Sequence, residues 1–192
     1  MGYRGCAIPV AWTVLPATEK PAGRSEWLRM LQPVHPAVPR RFFVRVLADR
    51  GLYARWLFQR LVRFGWPSLL RINTGGTFRP AQSARSQPLR TLAPAPGTPW
   101  GGTGTAFQGP RRRRNCTRLA RWDEDYHEPW LLLTDLAPSA GKAGWYGLRA
   151  WSEHGFKNDH TRRLAGAAHP QDRPSAGRAL MVGGGRRPVV VT

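Results

Sequence analysis

The sequence predicts an α/β fold built around a parallel strand–helix–strand unit, and three observations carry that expectation. Residues 42–48 (FFVRVLA) are apolar almost without a break, which suits a strand covered on both faces. Tyr53, Leu57, Leu61 and Phe64 then recur at helical spacing, Arg55, Arg60 and Arg63 fall elsewhere on the wheel, and Gly65 is a natural terminator. Residues 68–72 read as the next strand, so the whole stretch has the size of one crossover unit. With 18 Pro and 21 Gly, a long helical bundle or coiled coil is excluded, because helix interiors reject both residues.

Taken in order, residues 6–14 alternate, with Cys6, Ile8, Val10, Trp12 and Val14 on one side, and are expected to form a strand. Pro9 removes one ladder donor and puts that strand at an edge or gives it an irregular start. Ser25 can cap a short helix over residues 25–31, with Trp27, Leu28 and Leu31 available for burial and Pro33 stopping it. Residues 73–115 are rich in Gly, Pro, Ser, Thr and Arg and read as lying outside the core; the Gly-rich stretch 97–109 lacks the ending of a phosphate loop and reads as a flexible loop. Residues 117–122 and 130–136 look like two strands joined by the acidic turn that holds Asp123, Glu124, Asp125 and Glu128. Residues 145–156 form the second expected helix, weakened at its start by Gly144 and Gly147 at about 1 kcal/mol each. Beyond Thr161 the chain turns to Gly, Arg and Pro, with the valines 189–191 as its only apolar run, and disorder is expected over 161–192.

Charge narrows the function classes. Lys and Arg number 30 against 11 Asp and Glu, a net charge of +19, which points to a polyanionic partner. At 41% hydrophobic residues the chain is too apolar for a disordered basic tail. Its two cysteines are too few for a disulfide scaffold, no histidine spacing suggests zinc, and nothing at the N-terminus looks like a signal peptide, so a cytoplasmic location is expected. The apolar stretches fall far short of the roughly 20 residues that span a bilayer, so membrane insertion is not expected, while adhesion to a membrane surface through charge stays open.

Two features stand out as chemistry. Asp49 is the only carboxylate between Glu26 and Asp123, and it closes the apolar strand, where open α/β sheets gather their ligands. On the second helix, Tyr146, Arg149, Glu153, Lys157 and His160 recur at intervals of three or four and share a face.

The segments GCAIPVAWTVLP at 5–16, VLADRGLYARWLF at 46–58, WLLLTDL at 130–136 and YGLRAWSEHGF at 146–156 together resemble, in order, the bacterial insertion-sequence transposases of the DDE type. Tyr146, Arg149 and Glu153 match that family's Tyr-x-x-Arg-x-x-x-Glu signature, while His160 stands where its Lys belongs and Lys157 lies one turn earlier. The resemblance implies a ribonuclease-H-like mixed sheet with flanking helices: residues 1–72 and 139–160 as the core, 73–138 as an inserted β-rich subdomain. It implies Asp49 and Glu153 as catalytic carboxylates and metal ligands for Mg²⁺ or Mn²⁺, and Arg50, Tyr146, Arg149, Lys157 and His160 as DNA contacts. The implied reaction is metal-dependent phosphodiester cleavage and strand transfer at insertion-sequence ends, with DNA ends and target as partners and two copies pairing on two ends. No acidic residue precedes Glu19, so the family's first catalytic Asp and its strand have no counterpart. The chain is accordingly expected to be an N-terminally truncated copy, frameshifted near residue 160 and catalytically impaired. The alternative expectation is a non-catalytic, basic nucleic-acid-binding remnant.

Overall fold

The computed structural model describes residues 2–3, 6–7, 10–11, 13, 23–107, 114–150 and 189–191. Two short strands, Gly2–Tyr3 (β1) and Cys6–Ala7 (β2), pair antiparallel. The strand expected over 6–14 is therefore seen at its first two residues. Val10, Ala11 and Thr13 are exposed and irregular, and the remaining positions lie outside the described residues.

Helix α1 spans Arg24–Ala37 and is twice as long as the sequence suggests. Gly23, not Ser25, precedes it, and the Ser25 hydroxyl donates instead to Glu26 Oε1 at 2.8 Å. Pro33 does not stop the helix, and Pro36 lies inside it as well. Each proline removes a helical hydrogen bond, at a cost of about 3 kcal/mol in an ordinary interior. Burial of Leu31 opposes that cost, as do Val34 and Val38 against the core and the His35 ring stacked on Phe64 at 4.0 Å.

Strand β3 spans Val44–Ala48 and is almost wholly buried. Helix α2, Arg55–Phe64, buries Leu57, Phe58 and Leu61 and ends on Gly65, whose φ of 67° is the left-handed conformation that glycine adopts without strain. Strand β4, Ser68–Arg71, lies parallel to β3 with Val46 opposite Ser68 and Ala48 opposite Leu70. The expected strand, helix and parallel strand are thus present.

The β-rich residues continue the same sheet. Strands β5 (Thr77–Pro80), β6 (Gln87–Pro88), β7 (Trp100–Ala106), β8 (Arg114–Arg121) and β9 (Trp130–Thr134) pair antiparallel, and β9 joins β4 with Leu70 opposite Leu133. Two expectations change here. The Gly-rich stretch is strand β7 rather than a flexible loop, and Phe78, Leu89, Leu92, Ala93 and Ala106 belong to the main buried cluster. Glycine is what allows this: a Cβ on Gly104 would lie 2.1 Å from the Arg79 carbonyl oxygen and 2.6 Å from the Phe78 ring. Small residues let that strand approach its neighbour, a feature that composition reads as looseness.

Val189–Val191 form β10, parallel to β3 with Val190 opposite Arg45. These three residues fall in the stretch where disorder is expected. β3 would otherwise present a row of unpaired backbone groups on that side, and a β-branched run suits the pairing. The result is a mixed α/β arrangement whose eight-stranded sheet runs β10-β3-β4-β9-β8-β7-β5-β6.

The two faces of the sheet hold separate cores. Val46, Ala48, Leu70, Leu131 and Leu133 pack with Leu57, Phe58 and Leu61 of α2. Leu47, Leu69, Leu119 and Leu132 pack on the other face with Tyr146. Tyr146 belongs to a 3-10 segment, Ala143–Arg149, where the sequence predicts the first turns of an α-helix. Gly144 and Gly147 weaken α-helical winding there, and the tighter turn keeps Tyr146 on the sheet.

Candidate strand-end site

Strand pairing creates the site. Asp49 follows the last residue of β3, Arg71 ends β4 at the same level, and Trp130 begins the antiparallel β9 beside them. Asp49 and Arg71 continue the alternation of Leu47 and Leu69, so they fall on the face that the Ala143–Arg149 segment covers.

Asp49 Oδ1 accepts from the Gly51 amide at 3.0 Å, which caps the 3-10 turn Arg50–Leu52 and fixes the carboxylate at the strand end. Its Oδ2 faces Arg149 Nη2 at 3.6 Å, and the side chain remains about half exposed (48%). The segment that carries Arg149 is seated by Tyr146, which is buried and meets the Trp130 ring edge-on at 5.3 Å. Burial pushes the Tyr146 phenol above its ordinary value, against the opposing pull of the Arg149 and Arg71 guanidiniums. The Tyr146 hydroxyl is enclosed beside Arg71 but makes no well-formed hydrogen bond.

A second carboxylate enters from the acidic turn. Glu128 Oε1 accepts from Arg71 Nη2 at 3.0 Å and also from Arg50 Nη2. Burial, then the neighbouring Arg50 charge, lowers the Arg71 pKa from its ordinary value. The other acid of the β9 region, Asp135, accepts from the Ser68 amide at 3.0 Å at the opposite end of β4 and is therefore remote from this group.

The structure thus brings Asp49, Arg50, Tyr146 and Arg149 together. Glu153, Lys157 and His160 lie outside the described residues. Sequence reasoning missed Arg71 and Glu128. Arg71 had one available signal, a lone charge in the apolar run SLLRI, whereas Glu128 is indistinguishable by sequence from its solvated neighbours.

Among the described residues no group of three or more His, Cys, Asp or Glu could hold a metal ion. Asp49 does offer a hard, half-exposed oxygen of the kind Mg²⁺ prefers. Among the described residues no helix is long and apolar enough to cross a membrane. No protein-family model matches this sequence, and no curated protein matches it.

Proposed function

We propose that the chain carries a ribonuclease-H-like core of a DDE-type insertion-sequence transposase and acts in metal-dependent cleavage and strand transfer of DNA. One observation carries the reading: the strand-end Asp49 and the Tyr146/Arg149 signature pair, distant in sequence, meet at 3.6 Å between Asp49 and Arg149. The parallel β3–α2–β4 unit and the β-rich strands that follow it give further support.

In this reading Asp49 and Glu153 would hold Mg²⁺ or Mn²⁺, which when bound activates water and steadies the leaving oxygen. Arg149 and Arg50 hold DNA phosphates beside Asp49, arginine being suited to two-point contact with phosphate oxygens. Tyr146 positions Arg149 by anchoring its segment on Trp130. Lys157 and His160 supply the basic end of the signature face.

A second reading, a non-catalytic basic nucleic-acid-binding remnant, has its own observation: Asp49 faces Arg149, and Glu128 is bonded by two arginines, so both acids are already charge-compensated. Metal dependence separates the two. Duplex binding followed by fluorescence anisotropy, with Mg²⁺ or Mn²⁺ against a chelator, is expected to strengthen with metal. That gain is expected to vanish in Asp49→Asn and in Glu153→Gln. Binding indifferent to metal and to both substitutions would leave the remnant reading standing.

A further inference from the structure

Helices α1 and α2 leave between them a cavity of about 170 Å³ walled by guanidinium groups. Arg24 comes from the first turn of α1, and Arg55, Arg60 and Arg63 come from α2, with Leu28, Trp56 and Gln59 completing the wall. No carboxylate is among the described residues that line it. The α2 positions 55, 56, 59, 60 and 63 form one helical face, turned away from the buried Leu57, Phe58 and Leu61. Gln59, with its amide oxygen toward its donors, accepts from Arg114 Nη2 at 2.5 Å and Nε at 2.8 Å. Arg114, the last of the consecutive arginines 111–114, thus meets this cleft; residues 111–113 lie outside the described residues.

We propose that this cleft is a phosphate seat for nucleic-acid backbone, distinct from the strand-end site. The seat belongs to the α2 side of the sheet, whereas Tyr146 packs on the other side. Like charges crowded around a small cavity repel one another, and an anion seated among them turns each of those repulsions into an attraction. Every cation here is arginine, whose planar fork pairs with two phosphate oxygens where lysine offers a point charge. Trp56 provides the apolar wall that single-strand and duplex grooves set beside their cations. A nucleic acid also suits the surroundings, since a chain with a charge of +19 attracts polyanions as a whole and the seat adds a local register.

The test uses the full chain in a chelator, so that it does not depend on the metal reading above. Affinity for a short labelled DNA duplex is followed by anisotropy over a salt series. Arg60→Gln/Arg63→Gln is compared with Arg85→Gln/Arg90→Gln, which removes the same charge from exposed positions elsewhere. The first pair is expected to lose about tenfold or more in affinity and to flatten the log–log salt slope by about 1.8, two phosphate contacts at about 0.9 each. The second pair is expected to lose less than about threefold. Arg63→Gln alone, with circular dichroism, keeps the test valid should the double variant unfold. Equal losses in both pairs, or no loss in either, would overturn the proposal. Calorimetry with inorganic pyrophosphate separates the sources of phosphate: heat abolished in the Arg60/Arg63 variant while duplex affinity stays intact would mean a small-anion site and would overturn the assignment to backbone.

Discussion

Cys116 shows how much one burial changes at the residue scale. Its thiol lies in β8 with Sγ 3.8 Å from the Gly104 carbonyl oxygen, and burial pushes its pKa from 9.0 up to about 11. A thiol held neutral is a poor nucleophile, so Cys116 is inert where an exposed thiol reacts. The linkage has a definite sign: between about pH 9 and about 11 the unfolded chain has released the proton and the folded chain has not. The unfolded state then binds fewer protons, and stability falls as pH rises through that window. The size is roughly 3 kcal/mol at most. Tyr53 and Tyr146, also raised by burial, act in the same direction. In a Cys6→Ser background, Cys116 is expected to resist iodoacetamide at pH 8 and to react once urea unfolds the chain. Cys116→Ala in that background is expected to shallow the fall in Tm above pH 9; an unchanged slope would remove the thiol from the account. Asp49 was findable at this scale because acids are absent around it in sequence, and Glu128 was not because acids surround it. Arg118 was hidden for a related reason. It is fully buried with its guanidinium 5.3 Å from the centre of the Phe78 ring, and nothing in the strand pattern separates it from a surface arginine.

Elements were legible where their periodicity had a single interpretation. Strand β3, helix α2 and strand β4 each combine an apolar pattern with a terminator, and each formed within a few residues of expectation. Helix α1 and strand β7 were misread because local propensity was taken as the deciding force. Two prolines in α1 and three glycines in β7 are both tolerated by tertiary packing. Strand β7 allows that statement to be measured. Gly104 lies against the backbone of Arg79 across the β5–β7 pair, opposite Pro80, and its place in the sheet leaves no room for a methyl group. Gly104→Ala must therefore separate the strands or shift Phe78, and overpacking of this kind costs about 1–3 kcal/mol. Gly75, which has nothing within 4 Å of its Cβ position, is the control. Urea unfolding is expected to place Gly104→Ala well below the native midpoint and Gly75→Ala within about 0.5 kcal/mol of it. Equal midpoints for the two variants would return the stretch to the flexible loop that composition suggests.

For the whole molecule, charge was legible and its arrangement was not. A net charge of +19 foretells affinity for polyanions, yet composition cannot say which arginines are spoken for by acids. Tertiary pairing decides that at the strand-end site, where the β8–β9 turn carries Glu128 to Arg50 and Arg71. Glu128 Oε1 alone bridges the two guanidiniums, and under the proposed function a DNA phosphate has to displace it. Glu128→Gln leaves a neutral amide that holds the guanidiniums less tightly, and duplex affinity at low salt is expected to rise by about threefold to tenfold, or roughly 0.6–1.4 kcal/mol. Glu124→Gln makes the same change in net charge at an exposed position of the same turn. Long-range attraction alone would raise affinity equally in both variants, and more weakly as salt screens it. Release of a direct contact raises it in Glu128→Gln beyond Glu124→Gln, and the excess should disappear when Arg71→Gln is added. Anisotropy with one duplex across six proteins, the native chain and the two glutamate variants each with and without Arg71→Gln, reads all of this, and an excess that survives Arg71→Gln would show that Glu128 does not act through that arginine.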